Sequence, residues 1–186
     1  MCGPTTDPAA SPAGDPDGTS GAEGCPDRPH NECVRISAKT DYAIRAAAEL
    51  AASPDGQWVK TESVSNAQNI PLPFLLNILA ELRTAGLVRS RRGVDGGYQL
   101  ARQSTDITVA DIIRAVDGPL ANIAGSRPEE LEYEGAAVAL RSVWVALRAT
   151  MRTVLEGVSL ADLAAGKLPD DVEALLSGTD VWRARV

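Results

Sequence analysis

Arg89, Arg91 and Arg92 crowd into one short stretch and run directly into Gly93-Val94-Asp95-Gly96-Gly97. Guanidinium forks at that density suit the paired oxygens of phosphate groups. Upstream, Pro73, Leu76, Asn77, Ala80 and Thr84 fall on one side of a helical projection at about 100° per residue. These side chains are small and uncharged. An asparagine amide can bond an adenine edge in bidentate fashion, and leucine or alanine can touch a thymine methyl. The two stretches together suit a double helix: cations for its backbone, a neutral probe for its base edges.

A probe of this kind has to be presented by a helix on a rigid base. Ser37 suits the N-cap of a helix to about Ala52, with Tyr42, Ala43, Ala46, Ala47 and Leu50 inward. Ser53-Pro54-Asp55-Gly56 stops it, and Trp58-Val59 is a short extended piece. Thr61 caps a short helix to about Gln68, with Val64 and Ala67 inward. After the break at Asn69-Ile70-Pro71, Leu72 to Ala85 predicts a second helix, with Pro73 tolerated in its first turn and Gly86 placed as its C-cap. Phe74, Leu75, Ile78, Leu79 and Leu82 form its core side. Leu87 to Arg91 and Tyr98 to Leu100 then predict a β-hairpin with Arg89, Arg91 and Arg92 on or near its tip. Taken singly, a helix with a solvated outer face or a solvated charged hairpin would explain either part. Their succession is a winged helix-turn-helix, with the wing set for the phosphate backbone or a minor groove. The glycine turn is a poor nucleotide cradle, because no helix N-terminus follows it.

Further on, Thr108 to Asp111 resembles a capping box, with Asp in place of the usual Glu, and opens a helix carrying Val109, Ile112, Ile113 and Val116 inward. That helix stops at Asp117-Gly118-Pro119. Residues 119–136 read as a loop. From Ala137 to Val158 a long helix carries Leu140, Trp144, Leu147, Met151, Val154 and Val158 in steps of four and three. Such a seam suits packing on a twin across a two-fold axis, or plain burial against the same chain. Ser159 caps a short turn to Ala164, and Pro169 to Leu176 is a last amphipathic segment.

Composition narrows the chemistry. The net charge of −7 looks unsuited to nucleic acid, but residues 34–102 hold nine Lys/Arg against six Asp/Glu, a net +3, between acidic flanks. Residues 1–33 contain eleven Gly or Pro and read as disordered. Val34 is also what an internal GTG start codon would be written as, so a misassigned start is the competing reading. The three cysteines and the single histidine all lie in that segment, and Cys25, His30 and Cys33 match no zinc pattern. Glu129, Glu130, Glu132 and Glu134 could attract a cation but read as a solvated loop. No nucleophile with a base and no acid–base pair stands at a workable spacing, so no enzyme is expected. No apolar run is long enough for a membrane span, and a cytoplasmic protein is expected.

Residues 34–166 resemble the Rrf2 family of bacterial winged-helix transcription regulators, which includes iron–sulfur and nitric-oxide sensing repressors. The resemblance rests on Arg35-Ile36-Ser37, Lys39 to Ala43, Ile70 to Leu75, Leu82-Arg83 with Ala85 to Val88, Arg92-Gly93 with Gly96 to Leu100, and Val116 to Leu120. It implies a homodimer joined by a long helix crossing between subunits. The helix opened by Pro71 and Leu72 would enter the major groove. Arg92 would reach the minor groove, and Ser37 and Lys39 would touch phosphate. Relatives that read a defined operator carry Glu and Gln where this chain has Leu76 and Asn77, so its operator should differ. Cluster-binding relatives place three cysteines in the loop matching 118–136, and this chain has none there. Asp41 matches an acidic ligand position of some relatives, yet one oxygen cannot replace thiolates. No cofactor and no metal are therefore expected.

The expected fold is mainly α with a small β-hairpin wing, a winged helix-turn-helix plus a long dimerisation helix. The expected segments are 1–33 as tail or misassigned start, 34–102 as DNA-binding domain, 103–136 as connector and effector loop, 137–166 as dimerisation helix with its following turn, and 167–186 as C-terminal segment. The expected function is a sequence-specific DNA-binding repressor, homodimeric on a palindromic operator. It would respond to a small molecule in an apolar pocket near Trp144 and the Leu131–Tyr133 loop, or to a protein partner. A winged-helix scaffold that has lost DNA binding is the alternative. Its expected DNA contacts are Ser37, Lys39, Pro71, Leu72, Pro73, Leu76, Asn77, Arg89, Arg91 and Arg92.

Overall fold

The computed structural model describes residues 36–54, 56–178 and 180–183, all within one unit, Glu32–Val186. The readings placed on residues 1–33, including the tail cysteines and His30, lie outside the described residues. Seven α-helices and one two-stranded antiparallel sheet appear in the described part. None of these helices is long and apolar enough to cross a membrane.

Helix α1 (Ala38–Ala52) is the centre of the fold. Ser37 caps it, its Oγ accepting from the Thr40 amide at 3.0 Å. Its alanine-rich inner face lets neighbours approach closely. Ala43, Ala46, Ala47 and Leu50 are buried against α2 (Thr61–Gln68), α3 (Leu72–Thr84), α4 (Val109–Val116) and α6 (Leu160–Ala165). Leu75, Ile78, Leu79 and Leu82 of α3, Ile112 and Val116 of α4, and Leu160 belong to the same main core, with Val64, Ile70, Leu87, Val88 and Ile107. Burying one such side chain contributes about 1.5–3 kcal/mol, so α3 is held firmly by its inner face.

The helix-turn-helix break is tight. Asn69 adopts the left-handed conformation at φ 50°, and Ser65 Oγ donates to the Ile70 carbonyl at 2.6 Å. Ile70 takes the inward position after α2, and Ala67, expected inward, is exposed. The helix ends one residue beyond Ala67, and the turn buries Ile70 in its stead. Phe74 also departs from expectation, at 61% exposed. It lies about 90° from the centre of the buried arc of α3, in the first turn, where no neighbouring element covers it.

Strands β1 (Val88–Arg91) and β2 (Gly97–Leu100) pair in the register Val88↔Leu100 to Arg91↔Gly97. Val59 forms a bridge on the outer side of β2, exchanging bonds with Tyr98 at 2.9 and 2.8 Å. The capping box of α4 is formed, Asp111 serving as well as Glu would. Thr108 N–H donates to its carboxylate at 3.1 Å, and Asp111 N–H donates to Thr108 Oγ at 3.2 Å.

Residues 117–139 form a loop with short 3-10 turns at Pro128–Glu130 and Gly135–Ala137. Helix α5 (Leu140–Gly157) begins three residues later than expected, after the second of these turns. The chain then returns. Val109 N–H bonds Val158 C=O at 3.0 Å and Leu160 N–H bonds Ile107 C=O at 2.9 Å. These bonds pin the end of α5 beside the start of α4. Helix α7 (Asp170–Leu176) places Val172 in a second cluster with Val109 and Val158.

Candidate nucleic-acid interface

The outer face of α3 is open. Pro73, Leu76, Asn77, Ala80 and Thr84 are all exposed, and Phe74 joins them. Leu72 is half-buried and Pro71 exposed at the N-terminal end. The face carries no charge, so close approach of base edges has no like or unlike charge to desolvate. Phe74 is an exposed side chain at the edge of this face, which the projection placed in the core. Its position on the edge of the apolar arc was the available sign.

The wing has a stiff base and a free tip. Trp58 carries both strand arginines, with the Arg89 and Arg91 guanidinium carbons 5.8 and 5.6 Å from its ring centroid. Gln99, oriented with its amide oxygen toward Arg89, accepts from Nε and Nη2 and donates to the Gly56 carbonyl at 3.2 Å. Arg89 therefore sits at the base of the hairpin, opposite Gln99, and not near the tip as expected. Arg92 is at the tip, exposed, with no hydrogen bond or ion pair among the described residues. Val94 beside it is 87% exposed.

Glycine is required where the hairpin meets its neighbours. A Cβ on Gly97 would sit on the Val59 carbonyl, and one on Gly96 would press on Gly93 O at 2.9 Å. The Gly96-Gly97 pair thus permits both the sharp turn and the third extended segment.

Between the wing, the start of α2 and the end of α3 runs a cleft of about 410 Å³ lined by Lys60, Thr61, Arg83, Arg91 and Arg92 among others. Four cations line one groove against Glu62, an arrangement suited to a phosphate run. Lys60 and Arg83 were not singled out from the sequence. They are isolated in the chain, and only the packing of α2 and α3 beside the hairpin brings them to Arg91.

Ser37 and Lys39 have partners inside the chain. Ser37 Oγ donates to Asp117 Oδ2 at 2.8 Å, and Thr40 Oγ donates to the same oxygen. Lys39 Nζ donates to the Val116 carbonyl at 2.9 Å and pairs with Glu81 at 2.7 Å. These contacts tie the start of α1 to the end of α4 and to α3. Any phosphate contact by these two side chains would share them with that network. Asp41 pairs with Arg45 at 3.0 Å, one helical turn on.

The seam of α5 divides. Val154 packs around the second core cluster and Val158 is buried within it, so that end is explained within one chain. Leu140, Trp144, Leu147 and Met151 are only half-buried, Val143 is 54% exposed, and no residue of the helix itself is buried. Trp144 Nε1 donates to Tyr133 OH at 3.1 Å, holding the loop to the helix. A separate cleft lies between α4, the loop after it and α5. It is lined by Arg114, Arg127, Arg148 and Arg152, with Glu129. Glu129 is bound by Arg148, and Glu156 by Arg114 and Arg152. The Glu129 carboxyl is held below the usual range by its own backbone amide and by Arg148; the Arg114 guanidinium does the same for Glu156.

Comparison with known proteins agrees with this geometry. The family profile Rrf2, described as "Iron-dependent Transcriptional regulator", matches residues 36–166. Rv1287 of Mycobacterium tuberculosis, named "Putative HTH-type transcriptional regulator", is 49% identical over 152 residues, covering 82% of this chain and 92% of that protein. CymR of Bacillus subtilis is 34% identical over 132 residues, 71% of this chain and 91% of its own. The solved structure of that CymR, described as the global cysteine regulator, superposes with a TM-score of 0.62, covering 72% of this chain and 98% of that one. The structure of T. potens IscR gives 0.58 at 32% identity, covering 80% and 96%. Iron in the profile's description finds no matching donor set in the described residues. They hold no cysteine or histidine, no group of three His, Cys, Asp or Glu is placed to share an ion, and the loop after α4 turns arginines to its cleft.

Proposed function

The chain belongs to the Rrf2 family and is a DNA-binding transcriptional regulator, and we propose that it works as a homodimeric repressor on a palindromic operator. The observation that carries this reading is the open, uncharged outer face of α3 beside a wing whose tip arginine has no hydrogen bond or ion pair among the described residues. Within residues 34–102, Pro71, Leu72, Pro73, Leu76 and Asn77 would read bases, joined by Phe74. Arg92 would enter the minor groove, and Lys60, Arg83 and Arg91 would bind phosphates. Arg89 would act indirectly, by bracing Trp58 and Gln99.

In this reading α5 pairs with its twin through Leu140, Val143, Trp144, Leu147 and Met151. The two α3 helices would then stand one turn of DNA, about 34 Å, apart on one face of the duplex. Residues 103–136 would carry the response to an effector. The site of action would be the cytoplasm.

The test is enrichment of random duplexes by the full chain. The reading expects an inverted repeat with half-site centres about ten base pairs apart. Retention without any enriched sequence would refute sequence-specific regulation.

A further inference from the structure

We propose that the cleft between α4, the loop that follows it and α5 is a binding site for a small polyanion, a molecule carrying two or more carboxylate or phosphate charges. Four guanidinium groups from three segments converge on it: Arg114 of α4, Arg127 of the loop, and Arg148 and Arg152 one turn apart on α5. Only Glu129 among the lining residues is acidic. The carboxylates within reach are already shared. Glu129 serves Arg148, Glu156 serves both Arg114 and Arg152, and Asp111 is engaged in the α4 cap as well as lying 3.6 Å from Arg114. Arg127 forms no ion pair among the described residues, while its backbone N–H donates to the Glu130 carboxylate at 3.3 Å. The cation excess disfavours the arrangement unless an anion offsets it, and the Arg148 side chain, only 20% exposed, is screened less than a free surface charge. At about 410 Å³ the cleft matches a small metabolite and lies within the usual range for ligand sites. Planar forks suit both carboxylate and phosphate, which share this recognition chemistry.

The position implies a consequence for DNA, which rests on the regulator reading above; the binding itself does not. Helix α4 packs against α3, and α5 is the helix assigned to the dimer. A ligand gripping Arg114 together with Arg148 and Arg152 would fix the angle between them. That angle sets the separation of the two α3 helices, so occupancy would change operator affinity.

The experiment is calorimetric titration of the full chain with citrate and, separately, inorganic pyrophosphate, at ionic strength held constant with sodium chloride. Saturable binding of one site per chain is expected, and the tighter arm identifies carboxylate or phosphate as the natural chemistry. R148Q/R152Q should weaken binding at least about tenfold. Arg127→Gln, which leaves the Arg148–Glu129 pair intact, should weaken it as well. Arg141→Gln, outside the cleft, should not. No saturable binding by either probe, or equal binding by parent and R127Q, overturns the site. Operator binding by the same samples is read independently. Saturable binding with unchanged operator affinity overturns the regulatory consequence, and failure of the parent to bind any operator refutes the regulator reading while leaving the titration interpretable.

Discussion

Gly97→Ala tests how the wing is built. A Cβ there would overlap the Val59 carbonyl, with its carbon at 2.7 Å and Lys60 N at 3.2 Å. Backbone atoms cannot swing aside as a flexible side chain would. The extended piece at Trp58-Val59 must leave the hairpin, losing the two bonds between Val59 and Tyr98. At about 1 kcal/mol each, that loss is about 2 kcal/mol. Trp58 also moves away from Arg89 and Arg91, two exposed cation–π contacts of about 0.5 kcal/mol each. The total is about 3 kcal/mol, or about 6–12 °C in Tm for a unit of this size. Circular dichroism melting measures it, and fluorescence anisotropy with an enriched duplex measures the effect on binding, which should fall by more than tenfold. A variant melting within about 2 °C of the parent would show that the third extended segment is not held as described.

Arg92→Ala should leave the melting temperature unchanged, because the side chain has no hydrogen bond or ion pair among the described residues, yet weaken operator binding severalfold. It should also lower the salt slope by about 2 per dimer, one phosphate equivalent in each subunit; an unchanged slope would remove Arg92 from the contact set. Asp117→Ala strands the hydroxyls of Ser37 and Thr40 at the α1–α4 junction; with Thr40 buried, it should cost about 1–3 kcal/mol in urea unfolding. Leu147→Glu should leave the winged core folded and shift the protein toward single chains in analytical ultracentrifugation. Glu129 and Glu156 titrate below the usual 4.5 in the folded chain, so their contribution is complete above that value and is lost as the pH falls through their lowered values. The tie between α5 and the α4 loop should therefore loosen only below about pH 4.5, read as a change in tryptophan fluorescence that Glu129→Gln blunts.

Local chemistry made most elements legible. Ser37, the Pro73 and Gly86 pair around α3, the Thr108–Asp111 box and the Ser159 cap each act within one turn of chain, so the residues alone place the boundaries. The outer face of α3 was equally readable, because helical periodicity depends on nothing distant. What depends on packing was not. Phe74 sits on the edge of the buried arc, and whether it is covered depends on which element lies beside the first turn. Ala67 loses its inward place to Ile70 through a left-handed turn that the period does not record. The arginine-lined cleft joins Arg114 to Arg148 and Arg152 across a loop whose course the sequence does not fix, so it could not be read from the residues alone. The 3-10 turn ahead of α5 likewise delays a helix whose periodicity begins earlier.

The most direct measurement is the mass of the complex with the enriched duplex, by light scattering coupled to size-exclusion chromatography. Two chains on one duplex, formed at moderate salt and dissolved as salt rises, is the predicted result. One chain per duplex, or no complex with any sequence, would contradict the account.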